Sequence, residues 1–358
     1  MSDVLTIQSH IGPYQVTFID DFAREISERH TDGRHYLIDR NVAKLYGTAL
    51  EAVLQSPSVL LIDAQEDNKS LEKMPEYVDH LVRHGLRRDH TLVAIGGGIT
   101  QDITCFLAAT MLRGVPWEFW PTTLLAQADS CIGSKSSINT AGAKNILGTF
   151  TPPRAIFLDV AFLKTLDIKD VRSGVGEMLK VHVIDGLESF ALIKEHYDSL
   201  FNDDAQMRRF IKRSLEIKKA YIEHDEFDQG PRNIFNYGHT FGHAIESATH
   251  FGIPHGIAVS IGMDMANFIS ARLRVGKEEH FVAVHPVCRR NFDGCENGEV
   301  ALAAFMEDIL KDKKNIGAKS VTLILLNADG VMDKSPYPAD DTFTNLCEEY
   351  LTQVRSSA

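Results

Sequence analysis

The sequence predicts a chain in two parts, an α/β half with a parallel, doubly wound sheet followed by a half built mostly of α-helices. Three observations carry this reading. Short β-branched runs alternate with amphipathic stretches between His35 and Gly98. The β signal then nearly vanishes from about Val171 to Leu310, where the apolar spacing is helical. Between these regions, the third predicted strand ends in three consecutive glycines, Gly96, Gly97 and Gly98. A βαβαβ order implies parallel strands with right-handed crossovers. The boundary is placed near Leu166, giving domains 1–166 and 167–358 with a cleft between them.

In chain order, HYLID (His35 to Asp39) reads as a strand and Val42 to Leu54 as an amphipathic helix. SVLLIDA (Ser58 to Ala64) is the second strand, and Leu71 to His84 carries helical apolar spacing. TLVAIGGG (Thr91 to Gly98) is a third, buried strand, and AIFLD (Ala155 to Asp159) adds another. In the later half, TLILL (Thr322 to Leu326) is the clear strand candidate.

The chain has 358 residues, enough for about two ordinary domains. Its 49 acidic against 37 basic residues give a formal charge of -12, which argues against nucleic acid or an anionic membrane as partner. No apolar run approaches the roughly 20 residues of a membrane span, and the start of the chain is not patterned as a signal peptide. Five scattered cysteines without a CxxC pair point to reduced thiols and a cytoplasmic protein.

Chemistry concentrates in NYGHTFGHAIESATHFGIPHGIAVSIGM (Asn236 to Met263). His239, His243, His250 and His255 fall within seventeen residues, with Glu246 on the same run. On a helix, His239 and His243 share one face, and Glu246 joins them three residues on. With a carboxylate supplied from elsewhere, such a face holds a divalent metal, and this donor set suits zinc. The glycine trio suits close approach of a phosphate to backbone N–H groups, with Asp102 one turn into the following helix. The run from Pro121 to Phe150 gathers Thr122, Thr123, Asp129, Ser130, Lys135, Asn139, Lys144 and Asn145 among small residues, as an anion-binding wall would. In SGVGEMLKVHVI, Glu177 is the candidate carboxylate for the metal. Taken alone, its spacing to Lys180 reads first as a surface i,i+3 ion pair and only second as a ligand.

Six segments, PTTLLAQADS, GSKSSIN, AKNILGTF, GEMLK, NYGHTFGHAIE and HGIAV, follow one another in this order. Together they resemble the sugar phosphate cyclases and, within that superfamily, the 3-dehydroquinate synthases most, over most of the chain from Asp39 to about Gly317. The resemblance implies a dehydroquinate synthase-like fold, an NAD-binding α/β domain followed by a helical domain carrying a divalent metal, zinc by preference with cobalt second. It implies a homodimer, with Arg113 reaching across the subunit interface, and an active site in the cleft. Carried over, it makes Glu177, His239 and His255 the metal ligands, so that His243 faces substrate instead. It makes Asp39, Glu66, Lys69, Gly97, Gly98, Asp102, Thr122, Thr123 and Asp129 the NAD contacts. Lys135, Lys144, Asn145, Lys180, Lys218, Arg232, Asn236, His243 and Lys313 become the substrate and catalytic groups. Lys218 is preferred to Lys219 for its spacing to Asp225, and Lys313 stands for the Asp312 to Lys314 run.

The activity implied is conversion of 3-deoxy-arabino-heptulosonate 7-phosphate to 3-dehydroquinate and phosphate. It proceeds by transient oxidation of a hydroxyl, phosphate elimination, hydride return and aldol closure, with NAD regenerated each turnover. Departures from the family pattern lie beside these walls. GGGITQDITCF has Gln101 and Cys105 where the family has glycine, Ser134 replaces a glycine in GSK, Pro231 precedes the pocket arginine, and WEFW is unusually aromatic. A sister cyclase of the 2-deoxy-scyllo-inosose synthase type is therefore the alternative. A valiolone-type enzyme is disfavoured by the presence of His243, and a metal-dependent polyol dehydrogenase by the lysines of GSK and AKN.

Overall fold

The structure is a computed structural model, and it describes residues 3–295, 298–311 and 320–356. The chain divides into two compact units. One comprises Met1–Leu166 with Lys218–Gln229, the other Asp167–Ile217 with Gly230–Ala358. The Lys218–Gln229 segment, which returns to the first unit, carries no composition shift that marks it in the sequence.

The first unit is built on a seven-stranded sheet. Its strands are β1 (Asp3–Ile7), β2 (Tyr14–Phe18), β3 (Arg34–Asp39), β4 (Val59–Ile62), β5 (Thr91–Gly96), β6 (Trp117–Pro121) and, after a separate hairpin of β7 (Ile138–Thr140) and β8 (Ala143–Leu147), β9 (Ala155–Leu158). The spatial order is β1-β2-β9-β6-β5-β3-β4, parallel throughout except for the antiparallel edge pair β1–β2. Numbered by themselves, the five strands from β3 to β9 (the hairpin aside) run 2-1-3-4-5, a doubly wound order. In that order the connection reverses direction between β3 and β5, and open α/β sheets bind ligands at such a reversal, beyond the carboxyl ends of the strands. Asp39 ends β3, and the glycine trio ends β5.

The predicted strands form where their β-branched runs lie, each within a residue or two. The helix expected from Val42 to Leu54 is broken into Arg40–Leu45 and Glu51–Leu54 by a turn containing Gly47. That from Leu71 to His84 opens with a 3-10 turn before the α-helix Met74–Arg83, which has Pro75 in its first turn, where a missing N–H costs nothing. Tyr36, Ile38, Val93, Ile95, Trp120 and Phe157 lie among the buried residues of one apolar cluster.

The second unit is mostly helical. Its central helix, His255–Arg272, is buried from Gly256 to Ser270. Against it pack the helices Ile168–Asp185, His239–Ala248 and Glu278–Asn291. Four glycines allow this closeness. A Cβ on Gly256 would lie 1.8 Å from the Ser173 carbonyl oxygen, and one on Gly176 2.1 Å from the Gly256 oxygen. A Cβ on Gly262 would lie 2.1 Å from the Gly238 oxygen, while Gly238 itself has φ +76°, ahead of His239. Midway along the central helix, buried Asp264 accepts from His285 at 2.9 Å and from the Tyr350 hydroxyl at 2.7 Å. The strand expected at Thr322 to Leu326 is β10 (Ser320–Leu326). It pairs antiparallel with β11 (Met332–Pro338), whose MDKSPYP sequence carries two prolines and no strand signal. Among the described residues no helix is long and apolar enough to cross a membrane.

Candidate active site

In the first unit, the candidate residues gather around the carboxyl ends of β3, β5 and β6. Gly97 caps the helix Gly98–Thr110. A Cβ on Gly97 would come within 2.9 Å of Thr123 Cγ2, whereas one on Gly98 meets nothing within 4 Å. The first glycine is thus required by packing, and the second leaves open space before the N–H groups of a helix N-terminus, where an anion is stabilised. Asp39 lies next to Gly96, its carboxylate accepts from the Asn41 N–H at 2.8 Å, and burial raises its pKa. Thr122 follows β6, its N–H bonded to the Gly96 carbonyl at 2.9 Å.

Beside this edge lies a polar wall. Buried Lys69 reaches Asp102 at 3.1 Å, the Asn145 side-chain oxygen at 3.1 Å and Glu66 at 3.3 Å. Asn139 donates to Glu66 at 2.9 Å, and the Asn145 N–H donates to the Asn139 side-chain oxygen at 2.9 Å. Burial pushes the Asp102 carboxyl up to about 6, against the pull of the Lys69 ammonium. Burial also acts to raise Glu66, but the Asn139 hydrogen bond and the Lys69 charge hold it below the ordinary carboxylate range. The β7–β8 hairpin that carries Lys144 and Asn145 turns through Ala141 and Gly142 at φ +53° and +73°. Lys144 and Asn145 are exposed on it. Lys135 pairs with Asp228. Lys218 is buried, with its ammonium 3.0 Å from the Asp129 carboxylate and 2.6 Å from the Asp129 carbonyl oxygen. Its neighbour Lys219 makes only a 3.8 Å i,i+4 contact with Glu223.

In the second unit, the helix packing brings Glu177, His239, His243 and His255 together. His239 and His243 stand one turn apart on their helix, and His255 opens the next. Ligand atoms of the three imidazoles lie within 4.8 Å of one another. The Glu177 carboxylate, 2% exposed, sits 3.3 Å from His255 Nε2 and 3.7 Å from His239 Nε2, and Lys180 pairs with its other oxygen. Neither Glu177 oxygen has a well-formed hydrogen bond. A buried carboxylate left in that condition is costly unless a cation completes it, so these side chains fit a divalent metal. Burial opposes charging of His255, yet the Glu177 and Glu246 carboxylates outweigh it and bring the imidazole to about 10. Burial, reinforced by Lys180, drives His239 the other way.

Glu246, read from the sequence as sharing the metal face, turns instead to His255 Nδ1 at 3.1 Å and fixes which ring nitrogen faces Glu177. His239 Nδ1 is held likewise by the Tyr237 carbonyl oxygen at 3.2 Å. His250 is exposed in the turn after the helix, with φ +51°. Arg232 is buried in the 3-10 turn Pro231–Asn236, and the Asn236 side chain donates to the Asn233 carbonyl at 3.0 Å. Lys313 lies outside the described residues. Sequence reasoning missed the backbone lock between Ser173 and Gly256, where the Gly256 N–H donates to Ser173 Oγ at 2.9 Å. It also missed the reciprocal pair of Gln101 and Ser130. There Gln101 donates to the Ser130 carbonyl at 2.6 Å and accepts from its hydroxyl at 2.7 Å. The departure of Gln101 from glycine was the signal for the latter.

Comparison with known proteins bears on both units. The family model described as 3-dehydroquinate synthase N-terminal matches residues 59–173, and that described as 3-dehydroquinate synthase C-terminal matches residues 174–315. A 3-dehydroquinate synthase of Thermoanaerobacter pseudethanolicus is 34% identical over 339 residues, 92% of this chain and 95% of its own. One from Acidithiobacillus ferrooxidans is 37% identical over 298 residues, 82% of each chain. Among solved structures, 2-deoxy-scyllo-inosose synthase complexed with carbaglucose-6-phosphate, NAD+ and Co2+ has a TM-score of 0.83. At 22% identity over 98% of this chain and 99% of its own, it bears on the fold alone. The 2-epi-5-epi-valiolone synthase of Streptomyces hygroscopicus subsp. jinggangensis, with NAD+ and Zn2+ bound, has a TM-score of 0.78. It is 25% identical over 94% of this chain and 97% of its own.

Proposed function

The chain belongs to the 3-dehydroquinate synthase family, and from that premise we propose an NAD- and divalent-metal-dependent lyase that converts 3-deoxy-arabino-heptulosonate 7-phosphate into 3-dehydroquinate and phosphate. The observation that carries this reading is Glu177, a buried carboxylate paired with Lys180 on one oxygen, without a well-formed hydrogen bond, whose other oxygen faces two imidazoles. Glu177, His239 and His255 are assigned as the metal ligands. Two imidazoles and a carboxylate suit zinc, with cobalt second. When bound, the metal supplies a Lewis acid at a substrate hydroxyl, and NAD supplies a hydride acceptor that returns the hydride within the turnover.

The remaining work falls to the chain's own side chains. Gly97 and Gly98, at a helix N-terminus, receive a pyrophosphate, and the Asp39 carboxylate accepts from ribose hydroxyls. Glu66, Lys69, Asp102, Thr122, Thr123 and Asp129 complete the cofactor wall. Lys135 and Lys144 neutralise the substrate phosphate, with Asn145 and Asn236 as neutral partners for hydroxyls. Lys180 balances the charge of Glu177, and exposed His243 presents an imidazole to substrate for proton transfer. Arg232 and Lys218 oppose the substrate carboxylate, to which a guanidinium presents a planar fork. Free, scattered thiols support a cytoplasmic location, and the family resemblance a homodimer.

The test measures phosphate release from the heptulosonate phosphate. Turnovers should far exceed the NAD supplied, with no NADH accumulating; stoichiometric NADH would make the protein a dehydrogenase. Arg232→Leu should cost roughly 2–5 kcal/mol in kcat/KM on this carboxylate-bearing substrate. It should cost far less on any carboxylate-free hexose phosphate the enzyme accepts. Equal losses on both would transfer the protein to the sister cyclases.

A further inference from the structure

The second unit has a cavity of about 400 Å³, lined by none of the histidine-cluster residues and walled by Arg172, Arg289 and Arg290 with Tyr197 and Phe201. Three guanidiniums converging in a chain of net charge -12 is a local reversal of sign. The wall also holds two carboxylates, Asp198 and Asp293, which leave the lining one positive charge in excess. Both are rim groups, 77% and 65% exposed, against 28% for Arg172 and 50% for Arg290. Arg172 reaches Asp293 Oδ2 only at 3.9 Å, while donating to the Asp293 carbonyl at 2.8 Å, and Arg290 pairs with Asp198. Ion pairs this exposed contribute little, so an incoming oxyanion displaces them at small cost.

The walls are set before any ligand arrives. The Tyr197 hydroxyl donates to Asn291 at 3.1 Å, and the Asn291 amide donates to the Arg172 carbonyl at 3.0 Å and to Ser260 Oγ at 2.8 Å. The Arg290 guanidinium lies over the Tyr197 ring, 4.8 Å from its centroid. Phe201 and Ile168 supply apolar surface that a bare inorganic ion would leave unused. Arg172 is five residues from Glu177 on one helix, about 140° round its axis, so it points away from the histidine cluster.

We propose that this cavity is a second ligand site, which takes a small organic oxyanion with a planar apolar body, the oxyanion held by the arginines and the ring against Phe201 and Ile168. The volume lies within the range of small-molecule sites, and arginine forks match carboxylate or phosphate oxygens.

Phenyl phosphate and benzoate distinguish the two oxyanions that fit. Each is titrated calorimetrically into the full chain at low salt, beside inorganic phosphate. At least one should bind with a Kd below about 1 mM and more tightly than inorganic phosphate. In the Arg289→Gln/Arg290→Gln protein that affinity should fall roughly tenfold or more, with KM for the sugar phosphate unchanged. Lys135→Gln, which alters the assigned substrate site, should leave it intact. Should the double variant fail to fold, Arg289→Lys/Arg290→Lys keeps the charge without the fork and should still weaken binding. No binding in the wild type, binding no tighter than that of inorganic phosphate, or loss in Lys135→Gln with none in the arginine variants would each overturn the proposal. This site stands whether or not the assigned reaction does, because the calorimetric reading needs no turnover.

Discussion

His255 is held from two sides, and that fixes what its substitution does. Glu246 takes Nδ1, so Nε2 is the nitrogen turned to Glu177. Removing the ring takes one of three assigned ligands and leaves Glu177 a buried charge with one imidazole fewer. His255→Ala should therefore lose most of its bound metal on dialysis, measured by elemental analysis, because metal affinity depends steeply on ligand count. His250→Ala, altering an exposed turn residue, should keep it. Full occupancy in His255→Ala would refute the ligand set. At this scale the sequence showed the histidines clearly, because i and i+4 spacing makes one face by helix geometry alone. Glu177 was not legible locally, since an i,i+3 Glu–Lys pair reads as solvent-exposed. Its 2% exposure arises from helices more than sixty residues away in the chain. It was a candidate from the sequence, and the family resemblance set the metal reading above the ion pair. The roles of Ser173 and Gln101 depend on tertiary contacts that no spacing announces.

Elements in the second unit are positioned by backbone contact, and glycine is the reason. At Gly256 an added methyl meets the Ser173 carbonyl at 1.8 Å, and the obstacle is another helix's backbone, which no rotamer change moves. Gly256→Ala should thus cost about 3 kcal/mol or more, at the upper end of overpacking effects, and displace the neighbouring His255. Gly98→Ala is the contrast. It has no positive φ and nothing within 4 Å, so it should melt like the wild type while binding NAD more weakly, because its methyl occupies the open approach to the helix N-terminus. A thermal melt and an NAD titration on both variants check the pair. Equal stability in Gly256→Ala would show that the helices can separate without loss. Strands were legible where apolar and β-branched residues run together into the buried sheet or core, as in β3, β5 and β10. Those with short, mixed or proline-bearing sequences, β7, β8 and β11, were not, because their pairing is imposed by partners. β11 exists as a strand because Ser320–Leu326 offers it a complete antiparallel register.

For the molecule as a whole, stability against pH sums opposed buried groups. His182 and His35 are both held neutral by burial, each down to about 4. His182 is fully enclosed, with Nδ1 on the Met178 carbonyl at 2.8 Å and Nε2 without a partner. A histidine depressed in the folded state takes its proton only in the unfolded chain between pH 6.5 and about 4. Its contribution is therefore complete above 6.5 and is lost as pH falls towards 4. Asp102, raised to about 6, acts in the opposite sense, favouring the folded state as pH falls from 6 towards 3.8. It lies in the first unit, whereas His182 lies in the second, where burial raises Asp264 in the same sense as Asp102. The shift at His182 corresponds to roughly 3 kcal/mol as an upper figure, since one pKa unit is about 1.4 kcal/mol. Protonation at His182 should accordingly act to lower the melting temperature between pH 6.5 and 4.5. In His182→Leu, which fills the site with an apolar group that cannot charge, the fall should be visibly shallower by calorimetry. Arg213 adds to the depression of His182, while Asp185 and the Met178 carbonyl oppose it. Arg213→Gln should therefore leave most of the wild-type slope, because burial is the larger cause. Parallel melting profiles for wild type and His182→Leu would mean that protonation of His182 does not contribute to the loss of stability in acid.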